Sequence, residues 1–333
     1  MAIISTKGLT KRFGSLTAVD HIDLRIEEGE IFGFLGPNGA GKTTTINMLT
    51  TLLKPDEGVA IVAGYDVTKQ PNKVRENIGI IFQDMTVDRN LTAYENLYIH
   101  AKIYGIKPSY IKQRIKEVLE FVELTQWEHV ILKNFSGGMI RRLEIARGLM
   151  HLPNILFMDE PTLGLDPQTR AHIWEYIEKL RREAKITIFL TTHYMDEAER
   201  LCDRVAIIDH GKIIALGTPE ELIESIGGEV VTVKTEKPHE AKRLVELLNT
   251  NGAVIDSQLV RGSILKLTVK NASKTLPEIF DAAYTNNIRI AQISYSKPTL
   301  EDVFLKLTGR TLRDETWSSI DHMRNIMMRR MRR

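Results

Sequence analysis

The sequence is poor in cysteine, since its 333 residues include only Cys202. A single thiol excludes an intramolecular disulfide and a metal site built from cysteines alone, and it fits a reducing compartment. Because Cys202 lies in an apolar helical context, we interpret it as a small buried hydrophobic residue.

Long apolar runs are also missing. No stretch approaches the roughly 18 consecutive apolar residues that span a bilayer, and the N-terminus lacks the apolar core of a signal peptide. If the protein works at a membrane, we therefore expect a partner to supply the membrane part.

Neither sign of charge is in strong excess, because 45 basic and 43 acidic residues give a formal net charge of +2. We therefore expect no nucleic-acid partner, and any basic surface must be local. The 43% hydrophobic and 26% charged residues are typical of an ordinary globular protein. A chain of 333 residues is longer than one hydrophobic core usually serves, which predicts two domains or more.

A glycine-rich loop follows the apolar stretch Ile31–Leu35 and opens a helical pattern. Its glycines let successive backbone N–H groups point inward, and a helix N-terminus adds its positive dipole end, so the loop predicts a polyphosphate cradle. Lys42 would reach the β and γ phosphates, and the Thr43 hydroxyl would bind Mg²⁺. An ordinary strand-to-helix turn is the alternative. The predicted nucleotide-binding residues of the loop are Gly36, Pro37, Asn38, Gly39, Ala40, Gly41, Lys42, Thr43 and Thr44.

Two adjacent carboxylates, Asp159 and Glu160, follow the apolar run Ile155–Met158, which is typical of a buried parallel strand. Ligands bind at the carboxyl ends of such strands. We expect Asp159 to hold Mg²⁺ opposite Thr43, and Glu160 to act as general base toward the attacking water. An acidic pair that merely caps a helix is the alternative.

Two further strand-like runs end in polar residues. Ile186–Leu190 leads through two threonines to His193, which is placed to hydrogen-bond the γ phosphate, although a lone histidine is more often structural. Ile78–Phe82 ends at Gln83, where the pattern changes abruptly to helical spacing. We interpret the region of about 84–152 as an inserted helical subdomain.

The N-terminal region predicts short antiparallel strands separated by turns, with a corner at Phe13–Gly14. An aromatic residue such as Phe13 is suited to stacking on a nucleotide base or to packing in a core, and its position leaves both open. Further along, Ser136 and Asp166 are predicted helix N-caps, and two glycines after Ser136 form a second possible anion site.

From about Glu229 the pattern is strand, helix, strand, strand, helix, strand, the order of a ferredoxin-like α+β domain. It holds no evident catalytic cluster, so we interpret it as regulatory or interacting. The last residues, 310–333, are rich in arginine, with apolar residues at helical spacing. One interpretation is an amphipathic helix that binds a partner or an anionic membrane surface. The alternative is a solvated basic tail.

Taken in order, the motifs over residues 2–220 closely resemble the nucleotide-binding subunits of ATP-binding cassette (ABC) transporters. The glycine-rich loop matches the Walker A motif, Gln83 the Q-loop, Asp159 and Glu160 the end of Walker B, and His193 the switch histidine. Phe13 falls where the family stacks an aromatic residue on adenine. The signature motif is matched by Phe135, Ser136, Gly137, Gly138 and Met139, and the D-loop by Gly164, Leu165 and Asp166.

The signature departs from the usual pattern, because Phe135 and Met139 replace leucine and glutamine while the Ser136–Gly138 core is intact. This variant, together with Pro298–Phe304 and Leu307–Arg310, resembles the daunorubicin-resistance type of exporter ATPase. The resemblance implies export of drugs, lipids or other hydrophobic cargo.

The resemblance also implies an architecture. We expect an α/β P-loop NTPase core with a mixed, mainly parallel sheet, an antiparallel β subdomain and the inserted helical subdomain. The nucleotide-binding domain would span 1–220, the ferredoxin-like domain 221–309, and the tail 310–333.

Finally, the resemblance implies a mechanism. Two subunits, identical or paralogous, would pair head to tail around two Mg-ATP, each signature acting on the nucleotide of the other subunit. Lys42, Gln83, Glu160 and His193 would be catalytic, and Thr43, Gln83 and Asp159 would hold the metal. The dimer would drive an integral-membrane permease from the cytoplasmic face of the membrane. A soluble ABC ATPase that acts on ribosomes or DNA is the alternative.

Overall fold

The computed structural model describes residues 2–249 and 254–309. The predicted basic tail, 310–333, lies outside the described residues. The chain divides between Leu216 and Gly217 into two compact units. Within the part of the chain described, no helix combines the length and apolar character that a bilayer crossing requires.

An antiparallel sheet opens the first unit. Its strands are β1 (Ala2–Phe13), β2 (Leu16–Glu27), β4 (Glu57–Val62) and β5 (Tyr65–Asp66), in the order β2-β1-β4-β5. The prediction of short N-terminal strands was wrong, because β1 and β2 form one hairpin of two 12-residue strands. Register shifts along this pair interrupt the alternation of apolar residues, so one long strand reads as several short ones.

A six-stranded sheet forms the centre of the first unit. Its strands are β3 (Ile31–Leu35), β6 (Ile78–Ile81), β7 (Ile155–Asp159), β8 (Thr187–Thr192), β9 (Arg204–Asp209) and β10 (Lys212–Gly217), in the order β10-β9-β3-β8-β7-β6. The pairs from β9 to β6 are parallel. A two-residue turn joins β9 to β10, which therefore runs antiparallel.

Every residue of β3, β7 and β8 is buried, which explains their nearly continuous apolar sequences. The Phe189 ring contacts those of Phe32, Phe34 and Phe157, with centroid separations of 5.8, 5.5 and 5.5 Å. This core brings the carboxyl ends of five parallel strands to one edge. The remaining helices of the sheet region are α1 (Lys42–Leu49), α2 (Pro71–Asn77), α6 (Pro167–Ala184) and α7 (Met195–Leu201).

The insertion between β6 and β7 is helical, with α3 (Ala93–Ile103), α4 (Pro108–Phe121) and α5 (Gly137–Gly148), plus short 3₁₀ turns at 125–127 and 132–134. A capping box between Thr92 and Glu95 begins α3. The apolar stripe of α4 is buried.

The second unit contains α8 (Pro219–Glu224), β11 (Glu229–Thr235), α9 (Pro238–Asn249), β12 (Val254–Arg261), β13 (Ile264–Val269), α10 (Ala272–Thr285), β14 (Ile290–Ser296) and α11 (Leu300–Thr308). The strand order β12-β13-β11-β14, antiparallel throughout, is that of a ferredoxin-like sheet. The predicted fold class is therefore confirmed in both units.

Candidate nucleotide-binding site

The glycine-rich loop joins β3 to α1 and ends at Gly41, the N-cap of the helix. Gly41 has a φ of +108°, and a Cβ there would lie 2.4 Å from the Ala18 carbonyl oxygen. Only glycine fits this conformation and this close approach. The first N–H groups of α1 have no intrahelical acceptor, so the loop presents an anion site at a helix N-terminus.

The Lys42 side chain curls back over the loop and is 5% exposed. Its Nζ donates hydrogen bonds to the carbonyl oxygens of Gly36 at 2.8 Å and Pro37 at 3.1 Å. It also lies 3.2 Å from Glu160 Oε1. The loop therefore holds the ammonium inside its own curve, beside the acidic strand end.

Asp159 accepts two hydroxyl hydrogen bonds at the tip of β7. Thr43 Oγ1 donates to Oδ2 at 2.8 Å, and Thr191 Oγ1, from β8, donates to Oδ1 at 2.5 Å. One carboxylate thereby connects the start of α1 to the ends of two adjacent strands. The Thr43 hydroxyl and the Asp159 carboxylate form the kind of oxygen donor pair that Mg²⁺ prefers.

Glu160 lies between Lys42 and His193. Its Oε1 faces the lysine, and its Oε2 lies 3.0 Å from His193 Nδ1. Its backbone has a φ of +47°, and its N–H is anchored to the Thr191 carbonyl oxygen at 3.1 Å. Burial alone would raise the pKa of Glu160, but the adjacent His193 imidazole and the charge of Lys42 hold that pKa below its usual value.

The structure therefore brings Lys42, Thr43, Asp159, Glu160 and His193 together. Two other predicted residues have side chains that reach solvent. Gln83 is exposed, two residues beyond the end of β6, and Phe13 is half exposed at the end of β1. No hydrogen bond joins either side chain to the cluster within the described residues.

The signature segment lies beside the D-loop rather than beside Lys42. Ser136 caps α5 by accepting a hydrogen bond from the Met139 amide at 3.2 Å, and Phe135 is buried. A Cβ on Gly138 would lie 2.5 Å from Thr169 Cγ2, at the start of α6, and Asp166 caps that same helix. The predicted N-caps are confirmed, and no hydrogen bond joins the signature to the cluster within the described residues.

Three polar residues were missed by the sequence reasoning. Thr191 anchors both Asp159 and Glu160, Arg141 bonds to carbonyl groups of the same strand end, and Glu197 accepts hydrogen bonds from Thr162 and Trp174. The charged residues lie on helices, where they resemble a solvated face. The signal available was an acidic residue, Glu144, placed between apolar neighbours one turn after Arg141.

Two family models match the chain. The model described as ABC transporter matches residues 19–163, and the model described as ATP-binding protein DrrA1-3-like, C-terminal domain, matches residues 217–308. The first covers the loop, the signature and Walker B, and the second covers the ferredoxin-like unit.

Characterised relatives match over nearly the whole length. The linearmycin resistance ATP-binding protein LnrL of Bacillus subtilis is 40% identical over 94% of this chain and 100% of its own. The daunorubicin/doxorubicin resistance ATP-binding protein DrrA of Streptomyces peucetius is 38% identical over 94% of both chains. The Nod factor export ATP-binding protein I of Cupriavidus metallidurans is 38% identical over 94% of this chain and 99% of its own.

Solved structures match the first part of the fold. The subunit cbiO1 from Clostridium perfringens, part of the ABC transporter complex cbiONQ, superposes with a TM-score of 0.63 at 28% identity, covering 68% of this chain and 93% of that one. A dimeric ATP-binding cassette in a post-hydrolysis state, bound to ADP and Pi, gives a TM-score of 0.59 at 28% identity, covering 65% and 98%. Fold, motifs and full-length similarity together establish that this chain belongs to the ATP-binding proteins of ABC transporters, in the group with a DrrA-like C-terminal domain.

Proposed function

We propose that this chain hydrolyses ATP with Glu160 as general base, in a head-to-tail dimer that drives a separate membrane permease. The observation that carries the assignment is the position of Glu160, whose carboxylate lies between Lys42 and His193 at the tip of β7. The carboxylate is ionised at neutral pH, as a base requires, because His193 and Lys42 offset the effect of burial on its pKa.

The other roles follow from the same geometry. Lys42 would neutralise the terminal phosphates, and His193 would orient Glu160 and contact the γ phosphate. Thr43 and Asp159 would hold Mg²⁺. Gln83 joins this set on the family resemblance alone, because its side chain makes no hydrogen bond to either residue within the described part of the chain. When bound, the metal neutralises charge that develops on the phosphate oxygens.

The position of the signature supports the dimer. Ser136 and Gly138 pack beside the D-loop and make no hydrogen bond to the cluster of their own chain within the described residues. A second subunit, identical or paralogous, would present its signature to this chain's nucleotide, and Phe13 would stack on the adenine.

Export is the proposed direction of transport. The relatives named above serve resistance to linearmycin and daunorubicin or the export of Nod factor, so we propose a drug, lipid or other hydrophobic cargo. The site of action would be the cytoplasmic face of a membrane, with the permease as a separate chain. The alternative, a soluble ATPase acting on ribosomes or DNA, is not favoured, because these full-length relatives are resistance or export proteins.

The test is Glu160→Gln, which keeps the shape of the side chain and removes its basicity. We expect ATP hydrolysis to fall about 100-fold or more, while ATP accumulates in a stable dimer seen by size-exclusion chromatography. Lys42→Ala is the comparison variant and should lose ATP binding and dimerisation together. Hydrolysis at the wild-type rate by Glu160→Gln would refute the assigned base.

A further inference from the structure

One guanidinium group, that of Arg141, connects three segments of the first unit. Its Nε donates to the Pro161 carbonyl oxygen at 2.6 Å, and its Nη2 donates to those of Asp159 at 3.3 Å and Glu160 at 3.2 Å. Its Nη1 donates to the Phe82 carbonyl oxygen at 2.5 Å. Arg141 thus binds the chain on both sides of the proposed base and the residue before Gln83.

The charge of Arg141 is balanced by one buried partner. Its Nη1 lies 3.1 Å from Glu144 Oε2, one turn further along α5, and Glu144 is fully buried. The other oxygen of Glu144 accepts the Thr86 N–H at 2.7 Å. The pair therefore fastens α5 to the segment around Gln83 as well as to the tip of β7.

Arg141 lies about one turn into α5, the helix that Ser136 caps. In the proposed dimer, Ser136 and Gly138 act on the nucleotide held by the other subunit. The same helix therefore carries the signature at its start and Arg141 one turn later. Arg141 binds the carbonyl groups of Asp159 and Glu160 in the site of its own chain. If α5 moves when its signature contacts the nucleotide of the other subunit, Glu160 beside this chain's own nucleotide moves with it.

We propose that Arg141 is a positioning residue that couples the two ATP sites of the dimer, by fixing the backbone at Glu160 and at Gln83 to the signature helix. This inference rests on the proposed function. The guanidinium suits the role because its planar fork serves four carbonyl oxygens and one carboxylate at once, whereas a lysine ammonium has only three donors at one point.

Arg141→Lys tests the proposal, because it keeps the charge that Glu144 requires and loses the fork. We expect kcat to fall about 10- to 100-fold, as displacements of about 1 Å at reacting groups produce. The affinity for a fluorescent ATP analogue should stay within about twofold, because Lys42 and the loop are unchanged. The Hill coefficient for ATP should fall toward 1.

Arg142→Lys is the matched control. Arg142 is the next residue on the same helix, and it donates to the Val122 carbonyl oxygen and the Tyr176 hydroxyl, away from the site. We expect wild-type kcat and cooperativity from this variant. Should Arg141→Lys fold poorly, the double variant Arg141→Met with Glu144→Gln avoids an unpaired buried charge and should show the same loss.

An Arg141→Lys variant with wild-type kcat and Hill coefficient would overturn the proposal. So would a loss of kcat matched by an equal loss of nucleotide-binding sites, because that pattern indicates partial unfolding. Failure of the proposed function is seen separately, as wild-type hydrolysis by Glu160→Gln in the same assay.

Discussion

Glu197 is a buried acid close to the site without belonging to it. Its Oε1 accepts hydrogen bonds from Thr162 Oγ1 at 2.8 Å and Trp174 Nε1 at 2.9 Å. Burial raises the pKa of Glu197, although these hydrogen bonds and the charge of Arg170 act in the opposite direction. Glu197 therefore fastens α7, which follows His193, to the segment after Glu160 and to α6.

Because the pKa of Glu197 is raised in the folded state, this residue contributes more stability at low pH than at high pH. The contribution of Glu197 is fully present below the ordinary carboxylate pKa, about 4.3, and is lost as the pH rises through the raised folded value. Glu197→Gln mimics the protonated acid and should gain stability relative to wild type as the pH rises. Urea unfolding of both proteins across this range measures the difference.

Glu197→Ala is the contrasting variant. It leaves the Thr162 and Trp174 donors unpaired, so we expect a loss on the order of 1–3 kcal/mol for each donor. A stability difference between wild type and Glu197→Gln that stays constant with pH would show that Glu197 titrates normally in the fold.

At this scale, sequence patterns found the residues that terminate strands. Asp159, Glu160 and His193 follow apolar strands, and Lys42 follows the loop after β3. Parallel strands bring such positions to one edge. Arg141 and Glu197 were not recognised, because their partners come from segments far away in the sequence. An arginine three residues before a glutamate on a helix is typical of an exposed ion pair, and only tertiary packing shows that both are buried.

At the scale of elements, the start of α1 depends on Gly41. Alanine there would have to adopt a φ of +108° and place its Cβ 2.4 Å from the Ala18 carbonyl oxygen. We expect Gly41→Ala to lose ATP binding and several kcal/mol of stability, since both strain and a backbone clash must be relieved. Calorimetric titration with ATP and chemical denaturation measure the two effects.

Gly29→Ala is the matched control for this clash. Gly29 also has a positive φ, +77°, but a Cβ there meets no atom within 4 Å. We expect a cost of about 1–2 kcal/mol from the backbone conformation alone, with ATP binding retained. Equal losses of stability from the two substitutions would mean that the close approach of Gly41 to the Ala18 carbonyl oxygen contributes nothing to the cost.

Sequence patterns were effective for elements with one clear period. The fully buried strands β3, β7 and β8 and the amphipathic helix α4 were recognised from apolar runs and helical spacing. The hairpin of β1 and β2 was divided wrongly, because register shifts break its alternation and no local signal distinguishes a bulge from a turn.

At the scale of the whole molecule, the two units have separate cores. A cluster that includes Phe189, Phe34 and Ile46 lies in the first, whereas Leu265, Leu267 and Ile279 belong to a cluster confined to the second. Each core can therefore be weakened alone.

Leu267→Ala removes a fully buried side chain from the second core. We expect a loss of about 2–5 kcal/mol that is confined to the ferredoxin-like unit, with ATP hydrolysis by the first unit unchanged. Scanning calorimetry should show one transition lowered and the other at its wild-type temperature. A single transition that shifts as a whole would show that the units unfold together.

The left-handed backbone at Glu160 has a consequence for how this protein can change over generations. Any L-amino acid with a side chain carries a penalty of about 1–2 kcal/mol in that conformation, and glycine carries none. Duplicated copies released from selection for turnover would therefore gain stability by replacing this glutamate with glycine, and we expect glycine at this position to mark paralogues that have lost turnover.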